Sequence, residues 1–267
     1  LYAAKQAGLE RRDAQLRPHA DGSYDIDWEA FEAGLTDRTR AFLLCHPHNP
    51  VGRVWRPDEL RHMAELCLKH GVTMVSDEIH GDLLFDGRKH TPLAALDPEV
   101  AKHTITLMAP SKTFNVAGLA ASFAIIQDKA LRHRYLKARK GLVPHVNLLG
   151  LVAAEACYRH GQPWLDQLLK TLARNRQVLS ETVERDLPGV RMRPPEATTL
   201  AWLDCREAGL PGNPFTFFLD EAKVALNDGE AFGPGGEGFV RLNFGCSEAL
   251  LREALARMAE ALRRIRR

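Results

Sequence analysis

Two oppositely charged residues stand in apolar surroundings, and their types suggest carbonyl chemistry. Lys112 lies inside "TITLMAPSKTFNVAGL" (104–119), after an apolar run and among small, uncharged residues, with no acid close by in sequence. An ammonium in a poorly hydrated place loses pKa, because burial disfavours the charged form. The free amine that results attacks carbonyls and forms Schiff bases. Upstream, "VTMVSDEIHGD" carries Asp77 directly after an apolar stretch. A carboxylate there is costly unless it meets a cation or a hydrogen-bond network. One arrangement uses both groups: a lysine holding a pyridine aldehyde as an imine, with an acid opposite the ring nitrogen. The acid keeps that nitrogen protonated, so the ring can accept the electrons of a carbanion. Taken singly, Lys112 could instead snorkel to water, and Asp77 could cap a helix.

The elements that must position these residues can be read along the chain. "AFLLC" (41–45) is a short, fully apolar strand that ends in "HPHNPVG", a turn built from two prolines, Asn49 and Gly52. "PDELRHMAELCLKHG" predicts a helix, with Pro57 in its first turn, Asp58 and Glu59 at its positive end and Gly71 as stop. Leu60, Met63, Ala64 and Cys67 form its buried stripe. "VTMVS" (72–76), "TITLM" (104–108) and "SFAII" (122–126) predict further strands. Apolar strands alternating with amphipathic helices imply an α/β fold, a mostly parallel sheet covered by helices. Such sheets place chemistry just past the carboxyl ends of their strands. "HPHNPVG", "SDEIHGD" and "APSKTFN" all sit there, and they are expected to converge on one crevice.

From Pro163 a long helix carries Leu165, Leu168, Leu169, Leu172, Leu179 and Val183 to about Leu187. Beyond "PGVRMRPPEAT" the texture changes. "TLAWLD" and "GFVRLNF" look like strands, and "SEALLREALARMAEALRRI" is a capped closing helix. Residues 1–168 therefore read as a large domain and 169–267 as a smaller carboxy-terminal α+β domain.

The bulk numbers narrow the class. Thirty-six Lys+Arg against 34 Asp+Glu leave +2, too balanced to advertise nucleic acid or an anionic membrane. No apolar run is long enough to span a bilayer, and no leader pattern opens the chain. Five scattered cysteines without a Cys-x-x-Cys exclude a disulfide scaffold or thiolate zinc site and suggest a reducing cytosol. His46, His48 and His80 lack a nearby carboxylate-and-histidine pattern of known spacing, so no metal site is expected. Gly233, Gly235 and Gly238 formally satisfy G-x-G-x-x-G, but the run precedes a strand instead of following one, and a flexible loop is the better expectation.

"HNPVGRVW", "SDEIHGD", "APSKTFNVAGL" and "GFVRLNFGCS", in that order and at those distances, resemble the fold-type I pyridoxal-phosphate enzymes of aminotransferase class I/II. Within them the chain is most similar to the cystathionine β-lyase branch, the C–S lyases of the MalY/PatB type. The resemblance implies a role for each matching residue. Lys112 would hold pyridoxal 5'-phosphate as an imine and later move the Cα proton. Asp77 would pair with the pyridinium nitrogen, and Asn49 would donate to the phenolic oxygen. His80 stands where many relatives have a tyrosine touching that same oxygen. Ser111 would bind the cofactor phosphate, and Arg241 would grip the substrate α-carboxylate with its two-pronged donor. Many aminotransferases carry a phosphate-anchoring arginine eight residues after the lysine. Here that position is Ala120, as in the β-lyase branch.

The resemblance implies β-elimination from a sulfur amino acid to a thiol, pyruvate and ammonia. Transamination is the runner-up, and a non-catalytic binding or regulatory remnant is a reading of another class. The resemblance also implies a homodimer. The chain opens at Leu1 mid-pattern, and the family's glycine-rich phosphate turn and ring-stacking aromatic would lie upstream, so an amino-terminally truncated chain that binds its cofactor weakly is expected.

Overall fold

The computed structural model describes residues 3–266. Among them nine strands follow in chain order: β1 (Leu16–Pro18), β2 (Tyr24–Ile26), β3 (Ala41–Cys45), β4 (Thr73–Asp77), β5 (Thr104–Met108), β6 (Phe123–Ile125), β7 (Leu200–Asp204), β8 (Asn227–Asp228) and β9 (Phe239–Asn243). The chain divides into two compact units. One comprises Leu35–Asn49 and Arg53–Leu169, and the other comprises residues up to Gly34, Pro50–Gly52 and those from Lys170 on.

The first unit is built on a four-stranded sheet in the order β3-β4-β5-β6. β3, β4 and β5 run parallel, and β6 returns antiparallel to β5. Such parallel neighbours need helical crossovers, which the helices Pro57–Lys69 and Pro98–Lys102 supply. The first of these buries Leu60, Met63, Ala64 and Cys67, the stripe its spacing predicts. Its capping-box carboxylate, Glu59, takes the Arg56 N–H at 2.8 Å and is also ion-paired with Arg53. Met74, Ser76, Thr104 and Thr106 are buried along one side of the sheet, whereas Leu43 on edge strand β3 is 63% exposed.

The second unit contains the antiparallel sheet β7-β9-β8, with β9 in the middle. Helix Glu248–Ile265 starts at Ser247, whose hydroxyl accepts the Leu250 N–H at 3.3 Å, and it buries Leu251, Leu255, Met258 and Leu262. The glycine run before β9 is tighter than a flexible loop. A Cβ on Gly229 would lie 2.2 Å from the Gly236 carbonyl oxygen, and one on Gly236 would lie 2.0 Å from that of Gly229. Two backbones touch there, and only glycine fits.

Candidate active site

Register, more than any single side chain, builds the site. Cys45 pairs with Asp77, and Asp77 pairs with Leu107, so the carboxyl ends of β3, β4 and β5 are level. The ladder continues beyond them: the His46 N–H reaches the Asp77 carbonyl at 2.9 Å, and the Glu78 N–H reaches that of Leu107 at 3.0 Å. Strands this close, about 4.8 Å apart, leave the segments 46–49, 78–82 and 109–116 side by side.

Asp77 is the last residue of β4, one position further into the strand than its apolar run predicts, because its backbone still pairs on both sides. No helix follows it. Its carboxylate accepts the Ile79 N–H at 3.2 Å, a local turn bond that disposes of the helix-cap alternative. Desolvation by surrounding protein raises the Asp77 pKa, and the Glu78 charge adds to this. The Ile79 hydrogen bond and the Lys112 charge pull the other way.

Lys112 follows β5 in the single turn Pro110–Thr113 and is exposed. This corrects the expectation of a poorly hydrated lysine. Pro110 and Thr113, three residues apart, take the buried side of the turn and leave Lys112 outward. The turn is nonetheless held. The Thr113 hydroxyl donates to Asp82 at 2.9 Å, tying the lysine segment to the one that carries Asp77 and His80.

His80 is buried, and its carbonyl accepts the Leu83 N–H at 3.0 Å. Asn49 and Ser111 are half-buried. The Asn49 N–H donates to the Cys45 sulfur at 3.5 Å, and burial pushes that thiol up to about 11. The Ser111 carbonyl takes the Val116 N–H at 3.2 Å. Asn49, Asp77, His80, Ser111 and Lys112 thus belong to one unit and to the ends of three adjacent strands.

Arg241 belongs to the other unit. It sits on the central strand β9, opposite Trp202 of β7. Its Nη2 donates to Asn227 at 2.8 Å, and its guanidinium lies 4.7 Å from the centre of the Phe232 ring. Trp202 backs this arrangement, edge-on to Phe232 and stacked on Phe239 at 5.0 Å. Burial lowers the Arg241 pKa.

One group of residues was not foreseen. Glu78, with no exposed surface, accepts from Ser76 at 2.8 Å and from the Leu93 N–H at 3.0 Å, and it meets His90 Nε2 at 2.7 Å. The His90 ring stacks on His46 at 4.6 Å, and His46 Nε2 lies 3.2 Å from the Thr91 carbonyl. Burial, with the His90 charge, drives the His46 pKa down to about 4. Burial does the same to His48, whose ring leans on Trp55 at 5.3 Å. The available signal was the adjacent pair "DE" after an apolar strand. In a strand, neighbours face opposite sides, so one of two adjacent acids must turn inward.

Among the described residues no group of three or more His, Cys, Asp or Glu side chains is placed to hold a metal. The donor set at the three strand ends instead suits pyridoxal 5'-phosphate. It offers an exposed amine for an aldehyde, a carboxylate at the end of the neighbouring strand for a ring nitrogen, and a hydroxyl beside the lysine for a phosphate.

A family profile described as aminotransferase class I and II matches residues 2–258. Cystathionine beta-lyase PatB of Bacillus subtilis (strain 168) is 46% identical over 246 residues, covering 91% of this chain and 63% of that protein. The chain therefore spans a little under two thirds of that relative's length. The structure of cystalysin from Treponema denticola, which contains a pyridoxal 5'-phosphate cofactor, superposes with a TM-score of 0.94 at 35% identity, over 98% of this chain and 67% of that one. The PLP-bound C–S lyase from Staphylococcus hominis gives 0.90 at 31% identity, over 97% and 66%.

Proposed function

The chain belongs to the aminotransferase class I and II family, and on that premise we propose that the whole protein is a pyridoxal 5'-phosphate-dependent C–S β-lyase. The observation that carries the reading is the strand register, which levels the ends of β3, β4 and β5 and so sets Asp77 beside the turn that carries Lys112. The identity to a cystathionine β-lyase supports the choice of elimination within the family.

When bound, the cofactor supplies an aldehyde to hold the substrate amine and a ring to accept the electron pair left at Cα. This chain's residues do the rest. Lys112 holds the aldehyde at rest and takes the Cα proton of the substrate, and its exposure lets an incoming amino acid reach it. Asp77 keeps a proton at the ring nitrogen. The Asn49 amide and His80 donate to the phenolic oxygen, and the Ser111 hydroxyl donates to the phosphate. Arg241, steadied by Asn227 and Phe232, binds the α-carboxylate in a two-pronged grip. For cystathionine the balance is one water consumed, the Cβ–S bond broken, and homocysteine, pyruvate and ammonia released.

Residues 1–168 act in this proposal as the cofactor-binding domain and 169–267 as the small domain, although residues up to Gly34 and Pro50–Gly52 group with the latter in compactness. The protein works as a homodimer in the cytoplasm, without nucleic acid or membrane. Support for the dimer comes from the helix Leu148–His160, which exposes Leu148, Leu149, Leu151 and Val152. Support for the cytoplasm comes from five cysteines that are all free, and no helix among the described residues is long and apolar enough to cross a membrane.

Incubating the whole protein with cystathionine tests the activity. Thiol, pyruvate and ammonia in equal amounts are expected. Stoichiometric pyridoxamine phosphate without thiol would make it an aminotransferase, and a colourless protein that takes up no cofactor would make it a binding remnant.

A further inference from the structure

Ser76 and Asp77 end β4, Glu78 follows directly, and the three alternate between buried and exposed. Asp77 faces the candidate site, while Ser76 and Glu78 are wholly buried. A buried carboxylate that stabilises nothing would be expensive to keep, and apolar residues would fill the same volume at lower cost. Glu78 has three partners from two different stretches. Ser76 belongs to its own strand, whereas His90 and the Leu93 N–H come from the segment that crosses beneath it. That segment reaches β3 as well, through the stack of His90 on His46 and the Thr91 carbonyl facing His46 Nε2. The His46 N–H in turn rests on the Asp77 carbonyl. The circuit closes on the peptide units either side of Asp77, and it spans the strand ends that lead to Asn49 and His80.

We infer that Glu78 is a positioning residue for Asp77: clasped by Ser76, His90 and the Leu93 amide, it fixes the end of β4 and keeps a second negative charge behind the carboxylate that meets the cofactor ring. The inference rests on the proposed cofactor chemistry. Orientation and charge are separate consequences. A rotated Asp77 would miss the ring nitrogen, and a negative charge behind it favours the protonated, cationic form of whatever it faces. The charged groups around the clasp are few. His90 lies against Glu78, His46 lies behind His90, Asp77 is the next residue, and Lys112 approaches Asp77 from the turn after β5. The Glu78 charge already raises the proton affinity of Asp77, in the sense the inference requires.

The test uses the whole protein reconstituted with pyridoxal 5'-phosphate. The pH midpoint of the bound cofactor's absorption band is compared between wild type and Glu78→Gln, which keeps the shape and the oxygen facing Ser76 and the Leu93 N–H, turns the His90 contact to the tautomer whose Nε2 accepts, and deletes the charge. We expect the midpoint to fall by about half a pH unit or more, since loss of a nearby negative charge disfavours a cation. A merely structural role would weaken retention without moving the midpoint. Ser76→Ala supplies a second arm, since it strips one hydrogen bond from Glu78 and leaves the charge. It should weaken cofactor binding at least about threefold, a loss near 0.7 kcal/mol, at an unchanged midpoint. If Glu78→Gln does not fold, the midpoint is read in Glu78→Met, which deletes the charge and fills the same volume with an apolar chain, and the same fall is expected. Wild-type midpoint in Glu78→Gln, or wild-type retention in Ser76→Ala, overturns the inference while the cofactor reading stands. A wild-type protein that binds no cofactor sinks both.

Discussion

Acid should unlock the turn that carries Asn49, and His46 is the residue through which it acts. His46 has no exposed surface, and its pKa is lowered from 6.5 to about 4, first by burial and then by the His90 charge. Glu78 and the Thr91 carbonyl oppose the shift without cancelling it. Between those two values the unfolded chain binds a proton that the folded chain refuses, so stability falls as pH falls through this window. From about pH 7 to about pH 5 the loss from His46 alone is roughly 2 kcal/mol, a large part of a marginal total. Asp77 works in the opposite sense. Its raised pKa favours the folded state on the acid side, and that contribution is lost as pH rises through its folded value. A difference between two proteins removes such background. Urea unfolding of wild type and His46→Gln at both pH values should therefore show the wild type losing about 2 kcal/mol more than the variant. Equal losses in the two proteins would refute the assignment of a neutral, buried imidazole at this position.

Lys112→Met removes the positive charge felt by Asp77 and should raise the Asp77 pKa further; carbon NMR of the carboxyl groups, assigned with Asp77→Asn, measures it, and an unmoved resonance would disconnect the pair. Thr113→Val cuts the hydrogen bond to Asp82 and should cost about 1 kcal/mol of stability. It should also slow turnover more than it weakens binding, and unchanged kinetics would show that the tie does not hold the lysine turn. Ala120 is forced to a φ of 51°, so Ala120→Gly should stabilise the fold by about 0.5–1 kcal/mol in denaturant titration, and a destabilised variant would contradict that backbone geometry.

Much of this was legible in the sequence, and the gaps have physical causes. "AFLLC" and "TITLM" are strands with the bounds their apolar runs predict, and the stripe of helix Pro57–Lys69 is buried as its spacing requires. Short apolar runs announce a strand without announcing its direction, and β6 turned out to run antiparallel at the sheet's end. Lys112 was legible as a candidate and not as an exposed one. Apolar neighbours in sequence say nothing of which side of a single helical turn faces the interior, and here Pro110 and Thr113 took that side. Gly229 and Gly236 could not be told from a flexible run, because their purpose is a backbone contact between two points of a loop. The Glu78–His90 pair joins residues with no periodic relation, and only the irregular segment of His90 and Leu93 folding back on the end of β4 brings them together.

Lys112 as the point of attachment of the cofactor is the claim on which the rest depends. Borohydride reduction of the whole protein with pyridoxal 5'-phosphate, followed by peptide mass mapping, tests it directly. A single phosphopyridoxyl group on the peptide containing Lys112, absent from Lys112→Ala, is the predicted result. A label spread over other lysines, or one that survives Lys112→Ala, would contradict it.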